Sequence, residues 1–466
     1  MVVTHGPRLS LLLAAIHLVS CTAHAPHRLS STRNASVEVG SEQLKESRGR
    51  VEVASHSVEI HSSFSLAFIE FDDQGRLWDR QQVDSVDQLL ASEARRPDSD
   101  GVVVIFFAHG WQHDAGACDA FVACFRAYLA QIAAEAQAGV RLAGGGAWSP
   151  RVVGIYAGWR GRSIEIPVLR NLTFWSRKHV AERIGSGELI EVLAHLDQFV
   201  RSENAGGRPR AALNIIGHSF GGTMVYDALA NVLKARLVET LHRRGKVPVD
   251  ENLVDGFGNL VVLVNPAFEA SAYAPLEDLV AEIGTFSRSQ TPLLVIVGSE
   301  TDFPNRTWFR LGRTLDVLLQ RTGPRSERRL LTTSIGNYEP YVTHRLDAVS
   351  RSTGGAPRAR VSDCVCRLPL AEISTDEARR LGAFLLKRGD ADLPAADGAC
   401  AAGLTLGSAR LTCRPGVTLN RPIWSVRAGD DVVHGHKEFF TRPFLDFLRY
   451  VVIDALSKSA RMSARR

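Results

Sequence analysis

Leu213-Asn214-Ile215-Ile216-Gly217-His218-Ser219-Phe220-Gly221-Gly222 is the stretch whose reading decides the fold. A strand pattern runs into Gly-x-Ser-x-Gly, and a helical pattern starts at Thr223. A serine on so tight a strand-to-helix turn tolerates only small residues two positions away, which Gly217 and Gly221 supply. The helix that begins beneath the hydroxyl presents free N–H groups and the positive end of its dipole, both favourable to negative charge. Ser219 is therefore the candidate nucleophile.

Working outward, further short apolar runs lie at 64–71, 102–107, 152–156, 260–264, 293–297 and 423–426, rich in β-branched or aromatic residues. Strands buried on both faces have this composition. Helical patterns fall between several of them, at 120–137 with Asp119 as N-cap, at 188–201, at 222–241, and at 443–456 near the end. Alternating strands and helices predict an α/β, doubly wound, mostly parallel sheet. Its first part covers 61–350, and its last strand and helix cover 421–457. Residues 351–420 break the rhythm: they hold four cysteines and a predicted helix at 375–387, with no convincing sheet strand. They read as a cysteine-bearing insertion or cap. No internal repeat is found.

The chemistry of a serine nucleophile needs a base, an acid and an oxyanion site. The run Val102 to Phe107 ends in Ala108-His109-Gly110-Trp111, a loop that can supply one main-chain donor; Trp111 is the candidate, paired with the N–H of Phe220. His109 and His113 read as structural loop residues. Beyond Ser219, the run ending at Val297 is followed by Glu300 and Asp302, with Asp302 the first candidate acid and Glu300 the second. The run starting at Ile423 is followed by a loop carrying His434 and His436; His436 is the first candidate base and His434 the second. His344 reads as structural or pocket-lining.

Composition limits the partners. Hydrophobic residues make up 45% and charged residues 23% of 466, and the net charge of +5 is partly that of a basic tail at 458–466. No basic stripe with interleaved aromatics occurs, which argues against nucleic acid as a partner. Near the start, Arg8 precedes a short apolar run that ends in Leu18-Val19-Ser20-Cys21. This resembles the lipobox of bacterial lipoproteins and implies a signal peptide over 1–20, acylation of Cys21, and a tether over 21–60. The expected location is the bacterial cell envelope, lipid-anchored, on the periplasmic or outer-membrane side. Six further cysteines suit an oxidising compartment. Neighbourhood in sequence favours Cys118 with Cys124, and Cys364 and Cys366 with Cys400 and Cys413. Their spacing does not suit zinc.

Gly217-His218-Ser219-Phe220-Gly221-Gly222 resembles the nucleophile elbow of the α/β-hydrolase superfamily, lipases and esterases included. Ala108-His109-Gly110-Trp111, Trp159-Arg160-Gly161, Gly336-Asn337-Tyr338 and Gly435-His436-Lys437-Glu438-Phe439-Phe440 are similar to stretches of little-characterised bacterial members. The strand Phe68-Ile69-Glu70-Phe71 matches in less detail. The resemblance implies Ser219 as nucleophile, Asp302 as acid and His436 as base, acting on a small-molecule or lipid ester without metal or cofactor. It departs at Lys437-Glu438, where Asn-Asp is expected. An acyltransferase or thioesterase would share these residues, and a non-catalytic envelope lipoprotein could use the same fold for binding.

Overall fold

Phe64–Phe71 (β2), Val102–Ala108 (β3), Arg151–Trp159 (β4), Ala211–His218 (β5), Leu260–Val264 (β6) and Leu294–Ser299 (β7) form the parallel heart of one sheet. A computed structural model describes residues 25–30, 56–137, 140–141, 147–162, 173–206, 209–317, 320–321, 325–349, 358–362, 364–369 and 400–464. Five more strands complete the sheet: Val58–Ile60 (β1), His344–Ala348 (β8), Leu404–Leu406 (β9), Ala409–Cys413 (β10) and Ile423–Ala428 (β11). The order across all eleven is β1-β2-β4-β3-β5-β6-β7-β11-β8-β10-β9. β11 and β8 continue the parallel set, while β1, β10 and β9 pair antiparallel at the two margins.

Helices cover both faces, and the pleat divides the core accordingly. Val104, Phe106 and Ala108 of β3 join one apolar cluster with Gln81–Ala94 (α1), Phe174–Ser186 (α3), Leu189–Glu203 (α4), Phe220–Arg243 (α5) and Ala270–Ile283 (α6). Val103, Ile105 and Phe107 join the other, with Ala120–Gln137 (α2) and Arg442–Ala464 (α9). Two short helices, Phe309–Asp316 (α7) and Arg325–Thr332 (α8), follow β7. Asp119 caps α2 through its carboxylate, which accepts the Phe121 N–H at 2.8 Å. Among the described residues no helix is long and apolar enough to cross a membrane.

Three expectations change. The region 351–420 does contribute sheet strands, because β9 and β10 extend the edge beyond β8. Its predicted helix at 375–387 lies outside the described residues, as do the proposed signal peptide and Cys21. The disulfides are Cys118–Cys364, Cys124–Cys366 and Cys400–Cys413, so none of the pairings suggested by neighbourhood forms. A small hairpin, Arg360–Ser362 with Val365–Arg367, lies against α2 and brings Cys364 and Cys366 to cysteines more than 240 positions away. Finally, residues 25–30 pack on the sheet although the tether was expected to include them. Arg28 is buried, donates to Glu59 at 2.9 Å and to the Ala115 carbonyl at 2.8 Å, and lies over the Phe68 ring. A guanidinium is buried only where carboxylates and carbonyls replace its water, as they do here.

The parallel register sets up the site. Ala108 is level with Gly217, His218 with Val264, Val264 with Val297, and Ser299 with Ala428. The residues that follow each strand therefore emerge along one edge of the sheet, the carboxyl edge, where doubly wound sheets bind ligands.

Candidate active site

Ser219 stands at that edge, between β5 and α5, with φ 56° and ψ −119°. This backbone conformation is costly for a residue with a Cβ, by about 1–3 kcal/mol, and persists only where the surroundings enforce it. Here the Ser219 N–H donates to the Val264 carbonyl at 2.9 Å, and the Ser219 carbonyl accepts from Thr223 at 3.1 Å. The close crossing of α5 over β3 explains Gly221: a Cβ there would lie 2.1 Å from the Ala108 carbonyl oxygen.

Asp302 follows β7 and His436 lies in the loop between β11 and α9. His436 Nε2 is 2.7 Å from the Ser219 hydroxyl, and His436 Nδ1 is 2.9 Å from Asp302 Oδ1. With Asp302 accepting the Nδ1–H, the Nε2 lone pair is left for the serine proton. Ser219 and Asp302 are buried. The second candidates are engaged elsewhere: Glu300 pairs with Arg345, and His434 pairs with Asp430 at 2.9 Å. His344 is buried in β8, its ring against Trp424.

Several residues that hold this arrangement escaped the sequence reading. Asn305 donates its side-chain N–H to Asp302 Oδ2 at 2.8 Å and to the Asn265 carbonyl at 2.9 Å, and its main-chain N–H reaches Asp302 Oδ1 at 3.1 Å. Asn265, at φ 45° just past β6, donates to the His436 carbonyl at 3.0 Å and accepts the Ser299 N–H at 2.8 Å. His218 donates from Nε2 to the same His436 carbonyl at 2.8 Å. Two strand ends thus grip the loop that carries His436 by one carbonyl. The only sequence signal is that Asn265 and Asn305 are small polar residues beside a proline, Asn265 also just past a strand end. Burial and the neighbouring His436 push the His218 ring well below its ordinary pKa, so it stays neutral.

The loop after β3 runs directly against the serine. A Cβ on Gly110 would lie 2.8 Å from Ser219 Cβ and 2.8 Å from His218 Nδ1. Trp111 follows, its ring edge-on to Phe174 at 5.5 Å. Its main-chain N–H meets no backbone carbonyl among the described residues. Phe220 is the first residue of α5, whose leading N–H groups have no partner within the helix. Gln112, at φ 71°, donates its N–H to the Gly161 carbonyl at 2.9 Å. Its side-chain carbonyl accepts from Lys437 Nζ at 2.7 Å, so the residue where Asn was expected ties the His436 loop to the loop after β3. Glu438 pairs outward with Arg358 at 2.8 Å.

The other two loop histidines are held structurally. His109 Nδ1–H donates to the Gly110 carbonyl at 2.9 Å, and Nε2 accepts the Trp159 N–H at 3.2 Å. Burial lowers the His109 pKa to about 4. His113 pairs with Asp119 at 3.0 Å. A possible metal cluster, His344 with Cys400 and Cys413, has its two sulfurs joined in a disulfide and so offers no thiolate.

No family model and no curated protein matches the chain. Among solved structures it is similar to the phospholipase PlaB from Legionella pneumophila, at 14% identity and a TM-score of 0.20. That match covers 54% of this chain and 48% of the other, about half the length of each. So slight a likeness carries no argument about chemistry.

Proposed function

We propose that the chain is a serine hydrolase of the α/β-hydrolase type that cleaves carboxylic esters through an acyl-enzyme on Ser219. The observation that carries this reading is the continuous path from Ser219 Oγ through His436 to Asp302, at 2.7 and 2.9 Å. The strand order β2-β4-β3-β5-β6-β7 and the tight turn after β5 support it. In the reaction, Ser219 Oγ attacks the ester carbonyl carbon while His436 Nε2 takes the hydroxyl proton. The carbonyl π pair moves onto oxygen, where the main-chain N–H groups of Phe220 and Trp111 receive the charge. Collapse breaks the C–O bond, and His436 returns the proton to the departing alcohol. Water, deprotonated by His436, then releases the acid. Asp302 holds the imidazole in the useful tautomer and balances its transient positive charge.

The substrate in this reading is a small-molecule or lipid ester, and the protein works on the bacterial envelope, anchored through an acylated Cys21. Three disulfides support export to an oxidising compartment. Fluorophosphonate labelling tests the chemistry: the wild type is labelled and Ser219→Ala is not, whereas unlabelled wild type would favour a binding protein. Hydrolysis rates across ester chain lengths define the acyl group. Palmitate incorporation lost in Cys21→Ser tests the anchor.

A further inference from the structure

Immediately after Asp302 the chain makes a turn of π-helix, Pro304–Trp308, and continues as α7. One side of this segment is fastened down. Phe309 is fully buried, Arg313 pairs with Glu269 at 2.8 Å, and a Cβ on Gly312 would lie 1.9 Å from the Trp175 ring. Asn305 ties the same turn to Asp302.

The opposite side is apolar and open. Phe303, Trp308, Leu311 and Leu315 are 59%, 49%, 53% and 61% exposed. Trp308, Leu311 and Leu315 follow the helical spacing of one stripe. Phe303 adds a fourth exposed apolar side chain at the start of the π turn. Isolated exposed apolar residues need no explanation, but four large ones within the segment 303–315 point to an interaction surface.

Beside the stripe is a pocket of about 410 Å³ whose walls include Arg306, Arg310, Asn337 and Arg427. Its carboxylates are already engaged, Glu300 by Arg345 and Glu339 by Arg427 at 3.1 Å. The Arg310 guanidinium meets no carboxylate among the described residues, and the Nε of Arg427 is buried without a hydrogen-bond partner among them. In sequence, 303–332 holds seven arginines against two acids. A tryptophan and leucines flanked by arginines match the layered chemistry of a lipid surface, apolar below and anionic at the headgroups.

We propose that the 303–315 face docks on an anionic phospholipid surface, the stripe entering the acyl boundary and the exposed Arg306 and Arg310 meeting phosphate. The docking does not depend on the reaction at Ser219. It is distinct from an anchor at Cys21, and it turns the carboxyl edge of the sheet toward the bilayer, since Phe303 adjoins Asp302.

The test uses the full chain with vesicles of phosphatidylcholine alone or with about one-third phosphatidylglycerol, some carrying bromine-labelled acyl chains. Bromine quenches tryptophan fluorescence only at contact range. Quenching is expected with the anionic vesicles and is expected to fall in Trp308→Phe. Leu311→Ser/Leu315→Ser should weaken partitioning about ten-fold or more. Arg306→Gln/Arg310→Gln should erase the preference for phosphatidylglycerol. All these positions are exposed, so unchanged thermal unfolding and unchanged hydrolysis of a soluble ester show that the variants fold. Equal quenching in wild type and Trp308→Phe overturns the proposal whether or not Cys21 is acylated. So does concentration-dependent dimerisation abolished by the leucine changes, which would make the stripe a self-association face.

Discussion

Gly110→Ala adds one methyl group and tests whether the oxyanion loop is held against the serine. That methyl would sit 2.8 Å from Ser219 Cβ, 2.8 Å from His218 Nδ1 and 3.1 Å from the His218 carbonyl oxygen. Carbon atoms pack comfortably at about 3.5–4.0 Å, so relief requires a displacement of about 1 Å. None of the three neighbours is the loose end of a flexible chain. Ser219 is held on both sides by the backbone bonds to Val264 and Thr223, and His218 is buried and bonded to the His436 carbonyl. The shift therefore falls on the loop after β3 or on the 2.7 Å contact between Ser219 and His436. A misplacement of about 1 Å in a reacting geometry costs about 100-fold in rate, and overpacking of this kind costs about 1–3 kcal/mol of stability. The measurements are the second-order rate of fluorophosphonate labelling, hydrolysis of a small ester, and thermal unfolding. Gly206→Ala is the matched control, because nothing lies within 4 Å of its added methyl. A Gly110→Ala protein that is labelled and unfolds like the wild type would refute the close approach, and with it the Trp111 N–H as an oxyanion donor.

Four further outcomes are expected. Asp302→Asn leaves the fold intact and lowers kcat by about 10⁴-fold, since the amide no longer selects the required imidazole tautomer; ester turnover alongside circular dichroism checks this. Asn305→Ala removes the one side-chain donor to the buried Asp302 carboxylate, worth about 1.5–3 kcal/mol, and should lower both kcat and the melting temperature. His109 has a folded pKa of about 4, so its contribution is intact above the unfolded value of about 6.5 and is lost as pH falls toward 4, by about 3 kcal/mol. His218 acts in the same direction, and urea unfolding at several pH values should show His218→Leu losing less stability on acidification than the wild type. The bridges Cys118–Cys364 and Cys124–Cys366 close nearly the same loop, so removing one should cost about 3 kcal/mol and removing the second about 5 more, read from unfolding of serine pairs.

The parts of the molecule that could be read ahead are those with a local pattern. The runs that became β2 to β7 and β11 are mostly apolar because both faces of the sheet are covered. The glycines around Ser219 announce a turn that no bulkier neighbour permits. β8 to β10 were missed for the opposite reason. His344–Ala348 and Ala409–Cys413, toward one margin of the sheet, mix charged and apolar residues and do not stand out from loops. The disulfides were misread because neighbourhood in sequence stood in for neighbourhood in space. The hairpin at 360–367 meets α2 across more than 240 positions of sequence, a neighbourhood that only the folded sheet creates.

The supporting groups were invisible on other grounds. Asn265 and Asn305 belong to no periodic pattern; strand register lifts Asn265 to the same edge as His436, and the π turn after β7 brings Asn305 to Asp302. Val264 is level with both His218 and Val297, so one residue later the chain can bond to the base loop and to the end of β7 at once. That coupling makes the His436 carbonyl the common point of β5 and β6, while Lys437 links the same loop to Gln112 after β3. The position of His436 is thus set by three neighbouring strands as well as by Asp302. Substitution at Asn265 should therefore raise the disorder of the loop while leaving Ser219 in place. Slower ester turnover with an intact Ser219 turn, seen as unchanged stability of α5 in amide exchange, would separate this positioning role from a loss of fold.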